Sequence, residues 1–256
     1  MFTFLFFVLL IQGSSPLGAM EAQRGDNIEQ SLETIEKTMK AKIKKHGSVN
    51  QAVFRLQEMQ ARLFDEALLV NDKNSVVTLL SEAKVTIGYD GMERTQDCFN
   101  KASEATQLEA TVTIANIDYQ KENRKRLLWI LASLGKADLI KKFFNGWTRE
   151  KCQKYIDLPW RHYAPLSEAA FKGHRETVNV LASFGAQLDC YPDFYNGFAP
   201  LYRAALGGNE LIAHDLIRLG ADKNLHPEGT LTVEELLSRI KMHKQDEIEK
   251  SSKYVL

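Results

Sequence analysis

Twelve residues, Gln187 to Phe198, hold a thiol (Cys190) and four aromatic rings (Tyr191, Phe194, Tyr195 and Phe198). A cysteine becomes a nucleophile only as a thiolate, which takes a neighbouring base or cation. The adjoining sequence places no base there. The rings suit a different chemistry, because exposed aromatics are the common anchors of protein–protein contacts, worth about 2 kcal/mol or more each when central. Four rings cannot all turn inward from so short a loop. Phe194 and Tyr195 are therefore read as partner contacts, with Tyr191, Trp160, Tyr202 and Arg203 beside them. The competing arrangement packs Phe198 and Tyr191 under the loop against Trp160 and Tyr163.

Other chemistry is sought without result. There is no C-x-x-C and no H-E-x-x-H, so metal ligands lack their usual spacing. No phosphate-binding glycine loop is present; Gly207-Gly208 reads as a helix end. His174 and His214 lie in structural positions. The sequence thus leads to no catalytic residue, no metal and no cofactor. Lys and Arg number 33 and Asp and Glu 33, which gives no overall field to favour nucleic acid or anionic membrane. With 44% hydrophobic and 26% charged residues, the chain has the composition of an ordinary soluble protein. Three widely spaced cysteines, Cys98, Cys152 and Cys190, do not make a disulfide framework and favour a reducing compartment.

The elements that must position the aromatic loop follow from a pattern that occurs twice. Ala164-Pro165-Leu166 falls on Ala199-Pro200-Leu201, Ala169-Ala170 on Ala204-Ala205, Gly173 on Gly208, Leu181 on Leu216, and Gly185-Ala186 on Gly220-Ala221, all at an offset of 35. Proline at a first helical position loses no hydrogen bond, so Pro165 and Pro200 mark helix starts. Gly173 and Gly208 end those helices with positive φ, and the paired alanines leave a face thin enough for a close neighbour. Second helices follow over 176–184 and 210–219, ended by Gly185 and Gly220. Gln187 to Phe198 is too polar and turn-rich for helix and reads as an extended finger.

Helix, turn, helix, Gly-Ala and finger together resemble the ankyrin repeat, whose period is about 33 residues. The chain departs from that family where Thr usually precedes the proline and His follows the leucine; Ala164 and Ser167, then Ala199 and Tyr202, stand there. The resemblance implies an all-α fold, an ankyrin-repeat α-solenoid with finger loops. It also implies a non-enzymatic adaptor or scaffold that binds a protein partner through its fingers and first helices, in the cytoplasm.

The rest of the chain is read around that array. Residues 1–19 are an apolar run, Phe2 to Ile11, then a turn-like stretch and Leu17-Gly18-Ala19. Either this is a secretory signal peptide, which would make the protein secreted or lumenal, or Met20 is the start of a cytosolic protein. The apolar run is too short for a stable membrane span. Residues 20–62 form a helical leader, in which Ile28, Leu32, Ile35, Met39 and Ile43 make one stripe beside a lysine-rich face. That face suits a solvated helix, a short coiled coil or a calmodulin-like partner.

Residues 63–87 are a diverged repeat, with Asn71 in the place of Gly173, and 88–124 an insertion. Within the insertion a short helix is expected over 97–106, followed by a β-branched stretch. Repeats fill 125–225, the first with a long finger from Asn145 to Tyr163, and 226–250 are a capping helix opened by Thr232 and Glu235. A helical leader, long-fingered repeats and a polar closing helix together are similar to the IQ motif and ankyrin-repeat domain-containing proteins. The nearest candidate motif, Leu56 to Arg62, has its Arg one place late and no following Gly, so calmodulin is an implied partner without its usual segment. An enzyme built on residues 88–123 is the remaining alternative.

Overall fold

The computed structural model describes residues 49–81, 85–89, 91–117, 121–160, 163–190, 198–226, 229–239 and 241–242. The leader stripe, the candidate signal peptide and the tail from 243 onward lie outside these. The chain divides into two compact units, residues 1–113 and 114–256. All described elements are helical apart from one isolated antiparallel bridge, Trp160 to Tyr163.

One turn geometry recurs. Asn71, Gly135, Gly173 and Gly208 have φ of 59, 70, 84 and 70°. At each, the next residue donates its N–H to the carbonyl five positions back: Asp72 to Ala67 at 2.9 Å, Lys136 to Leu131 at 2.9 Å, His174 to Ala169 at 3.0 Å and Asn209 to Ala204 at 2.9 Å. A left-handed residue at that place satisfies carbonyls that a helix end otherwise leaves unpaired. Gly185 and Gly220, with φ of 92 and 106°, end the second helices in the same way, through Ala186 to Leu181 at 3.1 Å and Ala221 to Leu216 at 3.0 Å.

In the first unit, α1 (Val49–Leu69) packs against α2 (Lys73–Ser81) and α3 (Met92–Lys101), and α4 (Glu104–Asn116) follows. The expected short helix at 97–106 and β-branched stretch are replaced by α3 and α4. Side chains explain it. Gln107 donates to the carbonyls of Phe99 (2.8 Å) and Ala102 (2.9 Å) and so caps α3, while Ser103 accepts from the Thr106 N–H at 3.3 Å. Thr111 bonds back to the Gln107 carbonyl at 2.7 Å, which lets a buried threonine sit inside a helix.

The second unit opens with α5 (Lys121–Ser133) and α6 (Ala137–Phe143), continues through α7 (Arg149–Ile156), and then runs α8 (Pro165–Lys172), α9 (Arg175–Ser183), α10 (Pro200–Leu206) and α11 (Glu210–Leu219). First helices α5, α8 and α10 stack in a row, and second helices α6, α9 and α11 form another. Ala169, Ala170, Ala204 and Ala205 are wholly buried between α8 and α10, which is why small residues recur there. Pro165 and Pro200 occupy the first turns.

Side chains tie neighbouring repeats at matching positions. The His174 imidazole meets the Ser133 carbonyl at 2.9 Å, and its counterpart Asn209 donates to the carbonyls of Ala170 and Phe171, both at 2.8 Å. On the second helices, Lys141 pairs with Glu176 at 3.3 Å and Arg175 with Asp215. A last helical stretch at 233–239 begins at the expected capping box: the Thr232 N–H donates to Glu235 at 2.8 Å, and the Glu235 N–H to the Thr232 hydroxyl at 3.2 Å.

Candidate binding face

The long segment 145–163 is not an extended finger throughout, since α7 lies within it. Thr148 caps this helix by accepting from the Lys151 N–H at 3.3 Å, and Cys152, Tyr155 and Ile156, spaced by three and one, turn one face inward. Arg124 holds the helix down. Its buried guanidinium donates to the carbonyls of Ile114 (3.3 Å) and Ala115 (3.0 Å) and to the Tyr155 hydroxyl (3.1 Å). A cation at the carbonyl end of α4 is well placed electrostatically. Trp147, whose ring lies 5.1 Å from the same guanidinium, joins Phe143, Phe144 and Tyr155 in one aromatic cluster.

Beyond α7 the chain forms the Trp160–Tyr163 bridge, and the two rings have different roles. Trp160 is half-buried, with the Arg126 guanidinium 4.3 Å and the Lys125 ammonium 5.9 Å from its ring centre. Tyr163 faces the stack. With Phe171 it sandwiches the Arg203 guanidinium, each ring centre at 3.9 Å. Arg203 donates to Glu168 at 2.9 Å, and Ser133 reaches the other Glu168 oxygen at 3.4 Å. Ser133, Glu168 and Arg203 are separated by the repeat offset of 35 and so form a polar ladder through three first helices.

These positions change the reading of two expected contact residues. Tyr202 is 4% and Arg203 7% exposed, so neither side chain is presented to a partner as expected. The reason is the packing of α10 against α8 and against its own second helix α11, with the Arg203 guanidinium between the Tyr163 and Phe171 rings. The ring of Phe198, expected against Trp160 and Tyr163, packs on Tyr202 at 5.1 Å. Trp160 remains on the finger side. Tyr191, Phe194 and Tyr195 lie outside the described residues.

The finger bases are fixed by a repeated device. Asp157 accepts from the Gln187 N–H at 3.0 Å, and Asp189 from the Asp222 N–H at 2.9 Å. Burial pushes the Asp157 carboxyl above its ordinary range, and the Gln187 N–H opposes that shift. Residues 115–226 match the family model for ankyrin repeats, in three copies. This segment is an ankyrin-repeat domain. Ankyrin repeats are protein–protein interaction modules, and the all-α solenoid expected from the sequence is the fold observed. The chain matches no curated protein.

Among the described residues no three His, Cys, Asp or Glu side chains gather as a metal site, and no helix is long and apolar enough to cross a membrane. None of the three cysteines is in a disulfide. Burial pushes the Cys98 thiol up to about 11 and raises that of Cys152, whereas Cys190 sits half-exposed in its finger. A thiol reagent at pH 8 should therefore modify Cys190 first, with Cys98 and Cys152 reacting at least tenfold more slowly until denaturant is added, since the thiolate is the reactive form. Equal rates for all three in the folded protein would contradict the burial. Sequence reasoning missed Arg124, Arg126, Trp129 and Glu168. The offset of 35 linking Ser133, Glu168 and Arg203 was the signal that could have revealed the ladder.

Proposed function

We propose that the chain is a non-enzymatic adaptor that captures a protein partner on its finger side, with Phe194, Tyr195, Tyr191 and Trp160 as contacts. The supporting observation is how the aromatic finger is mounted. Asp189 on one side of it is tied to Asp222 of the next finger, and Phe198 on the other side is packed on Tyr202. Anchoring a segment at both ends lowers the entropy it has to lose on binding. We also read α1 and α2 as a diverged repeat, because Asn71 makes the same turn as Gly173. Three cysteines outside any disulfide favour a cytoplasmic location; N-terminal sequencing of the mature chain distinguishes this from secretion by residues 1–19.

The test is capture from cell lysate with the full chain and with the Phe194→Ala, Tyr195→Ala double variant, each partner identified by mass spectrometry. A partner held by the parent and lost by a variant of unchanged melting temperature supports the reading. A large loss of stability in the variant would assign these rings to the core. Equal capture by both, or capture by neither, would remove the finger from the interface.

A further inference from the structure

Although the chain as a whole carries no net charge, residues 121–163 contain eleven Lys and Arg against four Asp and Glu, a local excess of +7. This stretch comprises the first ankyrin helix of the second unit, α5, its partner α6, and the finger that holds α7. Part of that charge is consumed internally, as at Arg124. Lys141 is likewise paired, with Asp138 and Glu176, and Lys125 with Glu122 at 2.9 Å, while three cations of α5 and the finger stand against aromatic rings. Arg126 stacks on Trp160 at 4.3 Å with Lys125 nearby, and Lys151 stands 4.4 Å from the Trp147 ring. Trp129 lies three residues after Arg126, hence one turn along the same helix face. Lys154 is exposed on α7.

Two further groups point to a ligand. The indole N–H groups of Trp129 and Trp160 are shielded from water and have no acceptor among the described residues. An indole nitrogen can only donate, and a shielded donor without an acceptor is a costly arrangement. A carbonyl or carboxylate brought in by a partner would complete both once the side chains that cover them move aside. A guanidinium held over a ring, as Arg126 is over Trp160, is suited to meet a carboxylate, and Trp and Arg are among the residue types richest in interface hot spots.

We propose that the surface of α5 and its finger carrying Lys125, Arg126 and Trp160, with Trp129, Lys151 and Lys154 on the same two segments, docks an acidic segment of the partner protein. This rests on the interaction reading above and adds the chemistry of the partner. Charge complementarity selects the occupant: an acidic peptide supplies carboxylates to the cations and backbone carbonyls to the indoles. A nucleic acid or an anionic lipid surface would offer phosphate oxygens to the same donors; a peptide is the favoured occupant because ankyrin repeats are protein–protein interaction modules.

The experiment uses the full chain over an array of 15-residue peptides whose Asp and Glu content rises from none to ten, interleaved with Leu and Phe. A 20-nucleotide single strand and phosphatidylserine vesicles are run beside it. Capture should rise with acidic content and fall several-fold as salt is raised from about 0.05 to 0.3 M, as screening shortens. It should drop at least tenfold in Lys125→Glu with Arg126→Glu. Because Arg126 also packs on Trp160 and Lys151 on Trp147, the exposed Lys154→Glu, its melting temperature measured beside the parent's, gives a second test, with a drop of several-fold expected. Capture independent of acidic content, or unchanged in both charge-reversed variants, overturns the proposal, as does tighter binding of the oligonucleotide or the vesicles. The lysate partner separates the two readings. If it still binds the charge-reversed chain, the acidic-segment proposal fails while the adaptor reading stands; if the parent captures no partner, the adaptor reading fails.

Discussion

Replacing Arg203 by alanine should lower the stability of the ankyrin-repeat domain by about 3–5 kcal/mol, the usual cost of removing one member of a buried ion pair. The carboxylate of Glu168 would stay buried, held only by the distant Ser133 hydroxyl at 3.4 Å, and Tyr163 and Phe171 would lose the plane between them. Burial pulls the Arg203 guanidinium below its ordinary value, and the Glu168 charge acts against that shift, so the two groups are held as a unit. Urea denaturation measures the loss, and a fall in Tm on the order of 10 °C is expected for a domain of this size. The double replacement Glu168→Leu with Arg203→Met removes both charges and keeps the volume, so it should regain most of the stability. A loss below about 1 kcal/mol for Arg203→Ala would mean that the pair is solvated, as a surface salt bridge is.

The same pair shows where the sequence is legible and where it is not. Pro165, Pro200, Gly173, Gly208, Gly185 and Gly220 act through local backbone constraints, so their types alone place helix starts and ends, and the structure has them there. Thr232 and Glu235 are legible for the same reason, because a capping box closes within four residues. Tyr202 and Arg203 fail because their burial depends on a neighbour 35 residues away, and polar side chains are normally assigned to the surface. A solenoid makes that assumption unsafe, since each first helix is covered by the first helix of the neighbouring repeat and by its own second helix.

Segments 88–124 and 145–163 fail differently. Their helices rest on single side chains, Gln107 capping α3 and Arg124 pinning α7 through Tyr155, which no hydrophobic period announces. The candidate site was half legible. Trp160 on the finger could be singled out by type, but its stacking on Arg126 joins a finger to a helix 34 residues upstream and needs the fold.

Gly207→Ala should be more damaging than Gly208→Ala, although Gly208 is the residue with positive φ. Gly207 has φ of −76°, which alanine adopts freely, so its backbone alone gives no reason for glycine. The reason lies in the preceding repeat: a Cβ built there would stand 2.2 Å from the Phe171 carbonyl oxygen and 2.7 Å from the Asn209 amide nitrogen. Backbone cannot swing aside as a flexible side chain does, so α8 and α10 must separate. The same movement would break the Asn209 bond to that carbonyl, now 2.8 Å long. Overpacking against backbone together with a lost inter-repeat bond gives an expected cost of about 3 kcal/mol or more. Gly208, with φ of 70°, carries the left-handed penalty of about 1–2 kcal/mol, and Gly208→Asn should cost less because asparagine tolerates that region. Denaturation of the three variants gives the ranking directly. If Gly208→Ala proved the worse, the turn itself rather than the approach of neighbouring repeats would set the spacing of the stack, and the matching positions of His174 and Asn209 would be its consequence.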